Sequence, residues 1–284
     1  MLFHYIDGQI LPESETKVLV SDLSVMRGYG VFDYCRIRNG RPFHIESHIK
    51  RFRASAKGVH LPFHWTDSEI LEIIESLIEK NGNKEICFRL FLLGGESSND
   101  FILPSNGPRL SVLSEMPHPY PMRYYREGMD LMTFEERRFL PSIKTTNYLP
   151  AILALKEVKH AGGDEALFVS SKKELLEATT SNFFAVIDRK LITPPLDGRI
   201  LPGITRDIVL KLALTEKIAV EERAIDFCEI PNMTEAFLTS TNKDLISCRS
   251  IDGIKMNGGE KAEITRLLRE RFHQHIELFT AAFL

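Results

Sequence analysis

The stretch Glu177-Ala-Thr-Thr-Ser-Asn-Phe-Phe-Ala-Val-Ile187, with Gly198-Arg-Ile-Leu-Pro-Gly-Ile-Thr-Arg206 downstream, decides how this chain is read. The first part sets a carboxylate and a row of short hydroxyls before an apolar strand, 183–187. A carboxylate there can pair with a protonated ring nitrogen, and that charge turns the ring into an electron sink. The second part is a glycine-flanked loop that opens a helix. The first N–H groups of a helix lack internal partners and sit at the positive end of its dipole, so they suit a dianionic phosphate. Each part also has a plain reading, a strand-edge Glu beside a hydroxyl turn and an ordinary capped helix.

Two more clusters flank this stretch. Ile143-Lys144-Thr-Thr-Asn147-Tyr148 puts a lysine just before a helix, among hydroxyls and apolar residues. Partial desolvation there favours the neutral amine and frees it for imine formation. Taken alone, it reads as a solvated surface lysine. Leu238-Thr-Ser-Thr241-Asn242 follows an apolar strand with hydroxyls and amides, either a second anion cradle or a simple turn.

Outward from these clusters, 284 residues suggest two compact domains. The first third reads as an antiparallel sheet with helices. Hairpins are expected at Asp7-Gly8, between strands 2–6 and 9–11, and at Asn39-Gly40, between strands 31–38 and 41–45. Helices are expected over 46–57 and after the capping box Thr66-x-x-Glu69, followed by strands 85–93 and 109–114. Three prolines within 115–122 mark a linker, giving domains 1–114 and 123–284, the latter carrying Lys144. In the second domain, strands are expected over 167–170, 183–187 and 236–240. Helices run from Tyr148 to Gly162-Gly163, from about Thr205, and over about 260–278.

With 36 basic and 39 acidic residues, the net charge of −3 offers no basic field for a nucleic-acid backbone. Four scattered cysteines without a C-x-x-C pair read as small core residues in a reducing compartment, and His273-Gln-His275 lacks ligand spacing, so no metal is expected. No leader or membrane-spanning run is visible, so a soluble cytoplasmic protein is expected.

In this order and spacing, the clusters resemble the class IV aminotransferases, the fold type IV pyridoxal-phosphate enzymes. That family includes D-amino-acid transaminase, branched-chain aminotransferase and aminodeoxychorismate lyase. The resemblance covers nearly the whole chain, including Gly30-Val-Phe-Asp33, Asn39-Gly-Arg-Pro-Phe43 and His48-Ile-Lys-Arg51-Phe52. It implies a two-domain α+β or α/β fold of the D-amino-acid aminotransferase type, pyridoxal 5′-phosphate as cofactor, and a homodimer. Lys144 would bond the cofactor and Glu177 would face its ring nitrogen. Arg51, the amides of Ile204 and Thr205, and the Thr241 hydroxyl would hold the phosphate. Asn182, with Thr180 or Ser181, would line the ring and back Glu177.

The substrates implied are an amino acid and a 2-oxo acid such as 2-oxoglutarate. The substrate carboxylate needs a cation or an amide nest, and Arg27 and Arg89 are the candidates, each equally readable as a structural ion pair. Arg89 shares strand parity with Cys87, Phe91 and Leu93, a face expected to turn inward. The Arg-x-His pair usual in D-amino-acid transaminases is absent at Arg89-Leu-Phe91. The close spacing of Lys144 to Asn147-Tyr148 resembles the D-amino-acid and lyase branches rather than the branched-chain one. A D-amino-acid transaminase is therefore the first expectation. A branched-chain L-amino-acid aminotransferase, a lyase and a cofactor binder without turnover are the alternatives.

Overall fold

The computed structural model describes residues 1–82, 85–97, 104, 106–136 and 138–281. By contacts the chain divides into two units. One comprises Met1–Pro117, Ile143–Asn147 and Phe279–Leu284, the other His118–Ser142 and Tyr148–Leu278. Lys144, assigned by sequence to the C-terminal domain, thus counts with the first unit.

The first unit holds an antiparallel sheet of β1 (Phe3–Ile6), β2 (Gln9–Pro12), β3 (Gly30–Arg38), β4 (Arg41–Pro42), β5 (Cys87–Leu93) and β6 (Arg109–Glu115). Their spatial order is β2-β1-β6-β5-β3-β4. Both expected hairpins form. Asp7 and Gly8 (φ 50° and 86°) and Asn39 and Gly40 (φ 48° and 77°) take the paired positive φ of a type I′ turn. The strand expected over 41–45 stops at Pro42, because proline has no N–H for a ladder and His44 turns left-handed (φ 52°).

After the short helix α1 (Leu23–Arg27), helices α2 (Ile45–Gly58) and α3 (Asp67–Lys80) cover one sheet face. Ile49, Phe52 and Ala56 of α2 and Ile70, Ile74 and Leu77 of α3 recur at helical spacing. They pack on Val31, Cys35 and Ile37 of β3 and Phe88, Leu90 and Leu92 of β5. Both bonds of the Thr66–Glu69 capping box form and fix the start of α3. The even-numbered residues of β5 face the helices, and Arg89 stands on the other face with buried Cys87 (0% exposed) and Leu93 (6%), so that face is largely covered too.

One charge cluster is buried between α2 and β3. Arg51 donates through Nε and Nη2 to the two Asp33 oxygens, at 2.8 Å each, and His48 Nδ1 lies 2.7 Å from Oδ1. Asp33 and His48 are 0% and 1% exposed.

The second unit contains β7 (Met129–Glu135), β8 (Glu165–Val169), β9 (Glu174–Ala178), β10 (Asn182–Ile187), β11 (Lys190–Thr193), β12 (Val220–Glu222), β13 (Ile225–Asp226), β14 (Glu235–Ser240), β15 (Asp244–Ile251) and β16 (Ile254–Lys255). The path β10-β14-β15-β7-β8-β9 returns to β10 through the pair Glu177↔Asn182, so the sheet closes on itself like a barrel. Leu167, Phe183, Ala185, Leu238 and Ile246 share one core, while Ala166 and Phe168 pack on the helix α5 side. Burial on both faces explains the unbroken apolar run of β10.

The helices of this unit are α4 (Met122–Glu127), α5 (Leu149–His160), α6 (Ile204–Thr215) and α7 (Glu263–Ala281). Pro150 sits in the first turn of α5, where no N–H is needed, and Gly162 (φ 88°) follows its end. The run expected as a linker over 115–122 is bounded by β6, which continues through Glu115, and α4, which begins at Met122.

The Asp33 cluster has a measurable consequence. Burial alone would raise the Asp33 pKa, but the charge and hydrogen bonds of Arg51, with the His48 bond, hold it well below the usual carboxylate range. Asp33→Asn should cost roughly 3–5 kcal/mol near neutral pH by urea unfolding, because Arg51 and the buried His48 lose the carboxylate charge that faces them. A carboxylate depressed in the folded state contributes fully above its unfolded pKa of about 4 and less as pH falls toward the folded value. The gap between wild type and variant should therefore narrow below about pH 4. A gap that stays constant into acid would contradict this account.

Candidate active site

In the first unit, the segment carrying Lys144 is fastened to β3 by its backbone. Phe32 N donates to the Lys144 carbonyl and Thr146 N to the Gly30 carbonyl, both at 2.9 Å, and Thr145 bridges Val31. The Lys144 N–H donates to Ser55 Oγ (3.1 Å), one helical turn beyond Arg51 on α2. Space at Gly30 is tight, since a Cβ would meet Thr146 Cγ2 at 3.3 Å and the Leu92 carbonyl at 3.2 Å, and a neighbour would have to shift by a few tenths of an ångström. The half-buried Lys144 side chain carries Nζ to 4.3 Å from the Phe32 ring centroid.

That ring belongs to the sheet face away from the helices. Phe32 pairs with Phe91 (5.8 Å between centroids), and Tyr34 pairs with Arg89. Arg89 lies 5.1 Å from the Tyr34 ring and 5.7 Å from the Phe32 ring. Glu115 accepts from its Nε and Nη2 at 2.7 and 3.0 Å. Arg89 therefore has the acid partner that the sequence reading offered as one alternative. Among the described residues, no bond draws Arg27 to this face. Its exposed side chain, at the end of α1, donates to the Met26 carbonyl. Arg51 is oriented by Asp33. Burial, together with the charges of Arg51 and Lys144, outweighs the Asp33 bond and lowers the pKa of His48.

In the second unit, Glu177 (4% exposed) is the last residue but one of β9 and Asn182 begins β10. Arg138 donates to Glu177 Oε1 through Nε (3.0 Å) and Nη2 (2.7 Å). The Leu201 N–H donates to Oε2 at 3.0 Å. Asn182 Nδ2 reaches that oxygen only at 3.4 Å and bonds the Leu201 carbonyl better, at 2.9 Å. A carboxylate has about four lone-pair sites, so the weakly used one on Oε2 can take a further N–H. Thr180 Oγ1 and Ser181 Oγ both accept from Lys243 Nζ. Ile204 and Thr205 open α6 behind Gly203, and no side chain caps that turn. Thr241 stands in the turn after β14, beside Asn242, whose Oδ1 is buried and unbonded like Thr239 Oγ1.

The structure thus gathers Lys144 and Arg51 along α2 and β3. Separately, it gathers Glu177, Thr180, Ser181 and Asn182 around the β9–β10 hairpin, with the 201–205 loop against Glu177. The second set suits a phosphorylated pyridine, with an arginine-held carboxylate for a ring N–H and an uncapped helix terminus for a dianion. Sequence reading missed Arg138 and Lys243. The one available signal was that a buried Glu177 demands a cationic partner.

Gly203 serves this arrangement by having no side chain. A Cβ there would occupy the place of the Asn182 carboxamide oxygen. Gly203→Ala should therefore displace Asn182 from Glu177 and Leu201. We expect pyridoxal 5′-phosphate to bind roughly tenfold more weakly by absorbance titration, with unchanged far-ultraviolet circular dichroism. Unaltered affinity would contradict the role given to Asn182.

The family described as amino-transferase class IV matches residues 30–251. A protein of Methanocaldococcus jannaschii, provisionally named a branched-chain-amino-acid aminotransferase, is 31% identical over 273 residues, 94% of each chain. A D-alanine aminotransferase of Staphylococcus aureus is 27% identical over 276 residues, 96% of this chain and 97% of that one. A branched-chain amino acid aminotransferase of T.th., solved with pyridoxamine 5′-phosphate, superposes with a TM-score of 0.89 at 25% identity. That superposition covers 97% of this chain and 94% of the other. Family match and fold agree over most of the sequence, and the chain belongs to the class IV aminotransferases, fold type IV enzymes whose cofactor is pyridoxal 5′-phosphate.

Proposed function

We propose that this enzyme moves the amino group of an aliphatic amino acid, branched-chain L-amino acids foremost, to a 2-oxo acid such as 2-oxoglutarate. The observation that carries this reading is the setting of the Lys144 amine. It lies over Phe32 on a sheet face that continues through Phe91 and Tyr34 and holds Arg89 already paired with Glu115. Such a wall favours an apolar side chain over a charged one. The branched-chain names among the relatives support the same choice.

Pyridoxal 5′-phosphate, when bound, supplies a carbonyl that joins amines and a ring that takes up the electron pair of a broken Cα–H bond. Lys144 holds it at rest. Once an incoming amine took its place, the Lys144 Nζ would be free to accept the proton from the substrate Cα and to carry it during the transfer. Both backbone groups of Lys144 are bonded, so its motion is confined to the side chain, which keeps the amine in register with the reacting carbon. Glu177 faces the ring nitrogen, and Arg138 fixes the direction of its carboxylate. Arg51, the amides of Ile204 and Thr205, and the Thr241 hydroxyl take the phosphate. Thr180, Ser181 and Asn182 line the ring. Arg27 stands as a carboxylate ligand only if a second copy receives it. Exposed Val18, Leu19, Val20 and Val25 support a homodimer that covers them.

A D-amino-acid transaminase is the second reading. The Lys144-Thr-Thr-Asn147-Tyr148 spacing and the D-alanine aminotransferase relatives favour it. Absorbance spectra decide between the two. Wild type with cofactor should show a near-visible band that is absent in Lys144→Ala. L-leucine or L-isoleucine should bleach it, and 2-oxoglutarate should restore it with ping-pong kinetics. Bleaching by D-alanine or D-glutamate alone would exchange the first reading for the second. Pyruvate release from aminodeoxychorismate without transfer would make the enzyme a lyase, and a band indifferent to every amine would make it a binder without turnover.

A further inference from the structure

Lys243 is 0% exposed, and none of the roles assigned above uses it. Its ammonium donates to Glu165 Oε2 at 3.0 Å, Thr180 Oγ1 at 3.0 Å and Ser181 Oγ at 2.9 Å, which spends all three N–H bonds. The Tyr120 ring, 4.9 Å away at its centroid, closes a further side. Glu165 in turn accepts on its other oxygen from Thr179 Oγ1 (2.6 Å) and the Ala166 N–H (3.1 Å). Burial would pull the Lys243 pKa down, but the Glu165 charge and Tyr120 outweigh it and hold the group above its ordinary range.

Stability does not account for such a pair, since well-packed apolar residues often replace a buried ion pair at no loss. What the pair accomplishes is orientation. Three successive hydroxyls occupy the turn between β9 and β10. Thr179 donates inward, to Glu165. Thr180 and Ser181 each accept from the ammonium, so their own O–H bonds must point away from it. Among the described residues, neither hydroxyl donates to a protein group. Ser181 is 5% exposed, and a buried donor left without an acceptor is unfavourable. Thr180 is exposed, so its O–H opens to the surface beside the buried Ser181 O–H, and a ligand oxyanion would give both an acceptor. Lys243 also belongs to the turn after Thr241, and its N–H donates to Ser240 Oγ at 3.2 Å. Because β10 pairs with β14 at Asn182↔Thr239, the 179–181 and 241–243 turns lie at the same end of neighbouring strands.

We propose that Lys243 is a positioning residue that sets the Thr180 and Ser181 hydroxyls as donors to an oxyanion, the phosphate of the cofactor or the carboxylate of the substrate. The proposal rests on the reading above that puts Thr180 and Ser181 beside the cofactor. The test uses three forms of the full-length enzyme. In one, Lys243→Met with Glu165→Gln removes both charges together, so that neither is stranded. In the second, Thr180→Val with Ser181→Ala removes the two hydroxyls, and the third combines all four changes. Cofactor dissociation constants come from titration of the apo-protein, inorganic phosphate affinity from competition, and KM and kcat from assay.

The charge-neutral form should fold, by circular dichroism, and lose roughly tenfold to a hundredfold in one binding constant. A loss toward both cofactor and inorganic phosphate identifies the phosphate. A rise in KM for amino and 2-oxo acids, with kcat and cofactor affinity kept, identifies the carboxylate. In either case, the hydroxyl-free form should reproduce the loss, and neutralising Lys243 in that background should add little. Unchanged constants, or equal losses with and without the hydroxyls, would overturn the proposal. If the charge-neutral form does not fold, unchanged binding in the hydroxyl-free form overturns it alone. A wild type that binds no cofactor would overturn both this proposal and the functional reading, whereas a normal wild-type band beside unaffected variants overturns only the proposal.

Discussion

Two backbone hydrogen bonds, Phe32 N to the Lys144 carbonyl and Thr146 N to the Gly30 carbonyl, hold an otherwise irregular five-residue segment along β3. Without them, Ile143–Asn147 would carry its lysine on a loop with many conformations, and the amine would have no fixed neighbour. With them, the Cα of Lys144 is placed by a sheet strand and by Ser55 of α2, so only side-chain torsions remain free. Gly30 eases the close approach, since a side chain there would sit tight against Thr146. Phe32 then serves twice, its N–H fixing the lysine backbone and its ring receiving the amine. Precise placement of a nucleophile is achieved most economically on a rigid element, and this segment borrows the rigidity of a neighbouring strand.

Charge burial follows a consistent rule elsewhere in the molecule. Asp33 orients Arg51, Arg138 orients Glu177, and Glu165 holds Lys243. In each pair, one member belongs to the proposed cofactor-binding residues or bonds to them. Such pairs are weak sources of stability, because desolvation offsets most of their attraction. Their value lies in direction. A guanidinium gripping one side of a carboxylate leaves the other side aimed, and an ammonium that saturates hydroxyl lone pairs decides where the hydroxyl protons go.

Much of this was legible in the sequence wherever local chemistry decides structure. Asp7-Gly8 and Asn39-Gly40 turned as expected because few other dipeptides accept two positive φ values. Thr66 and Glu69 capped α3, and the apolar spacing of α2 and α3 matched helices that pack. The hydroxyl-rich hairpin after Glu177 and the loop into α6 were visible as clusters. Long-range pairings were not. Nothing in Ile143–Asn147 signals a strand partner more than a hundred positions away in Gly30 and Val31, because that pairing is set by the tertiary fold. Arg138 and Lys243 look like surface charges when read alone, and only the burial of Glu177 and Glu165 reveals them. The face carrying Arg89 was legible only as one of two, with its buried neighbours Cys87 and Leu93. Alternation in β5 separates two faces but does not say which one the helices will cover.

The central claim is that Lys144, among all the lysines of the chain, bonds the cofactor. Borohydride reduction of the loaded enzyme fixes that bond permanently, and peptide mass mapping then locates it. The account predicts a single phosphopyridoxyl adduct, on the peptide containing Lys144, and none in a sample reduced after excess amino donor has displaced the lysine. An adduct on Lys243 or any other lysine, with Lys144 unmodified, would contradict it.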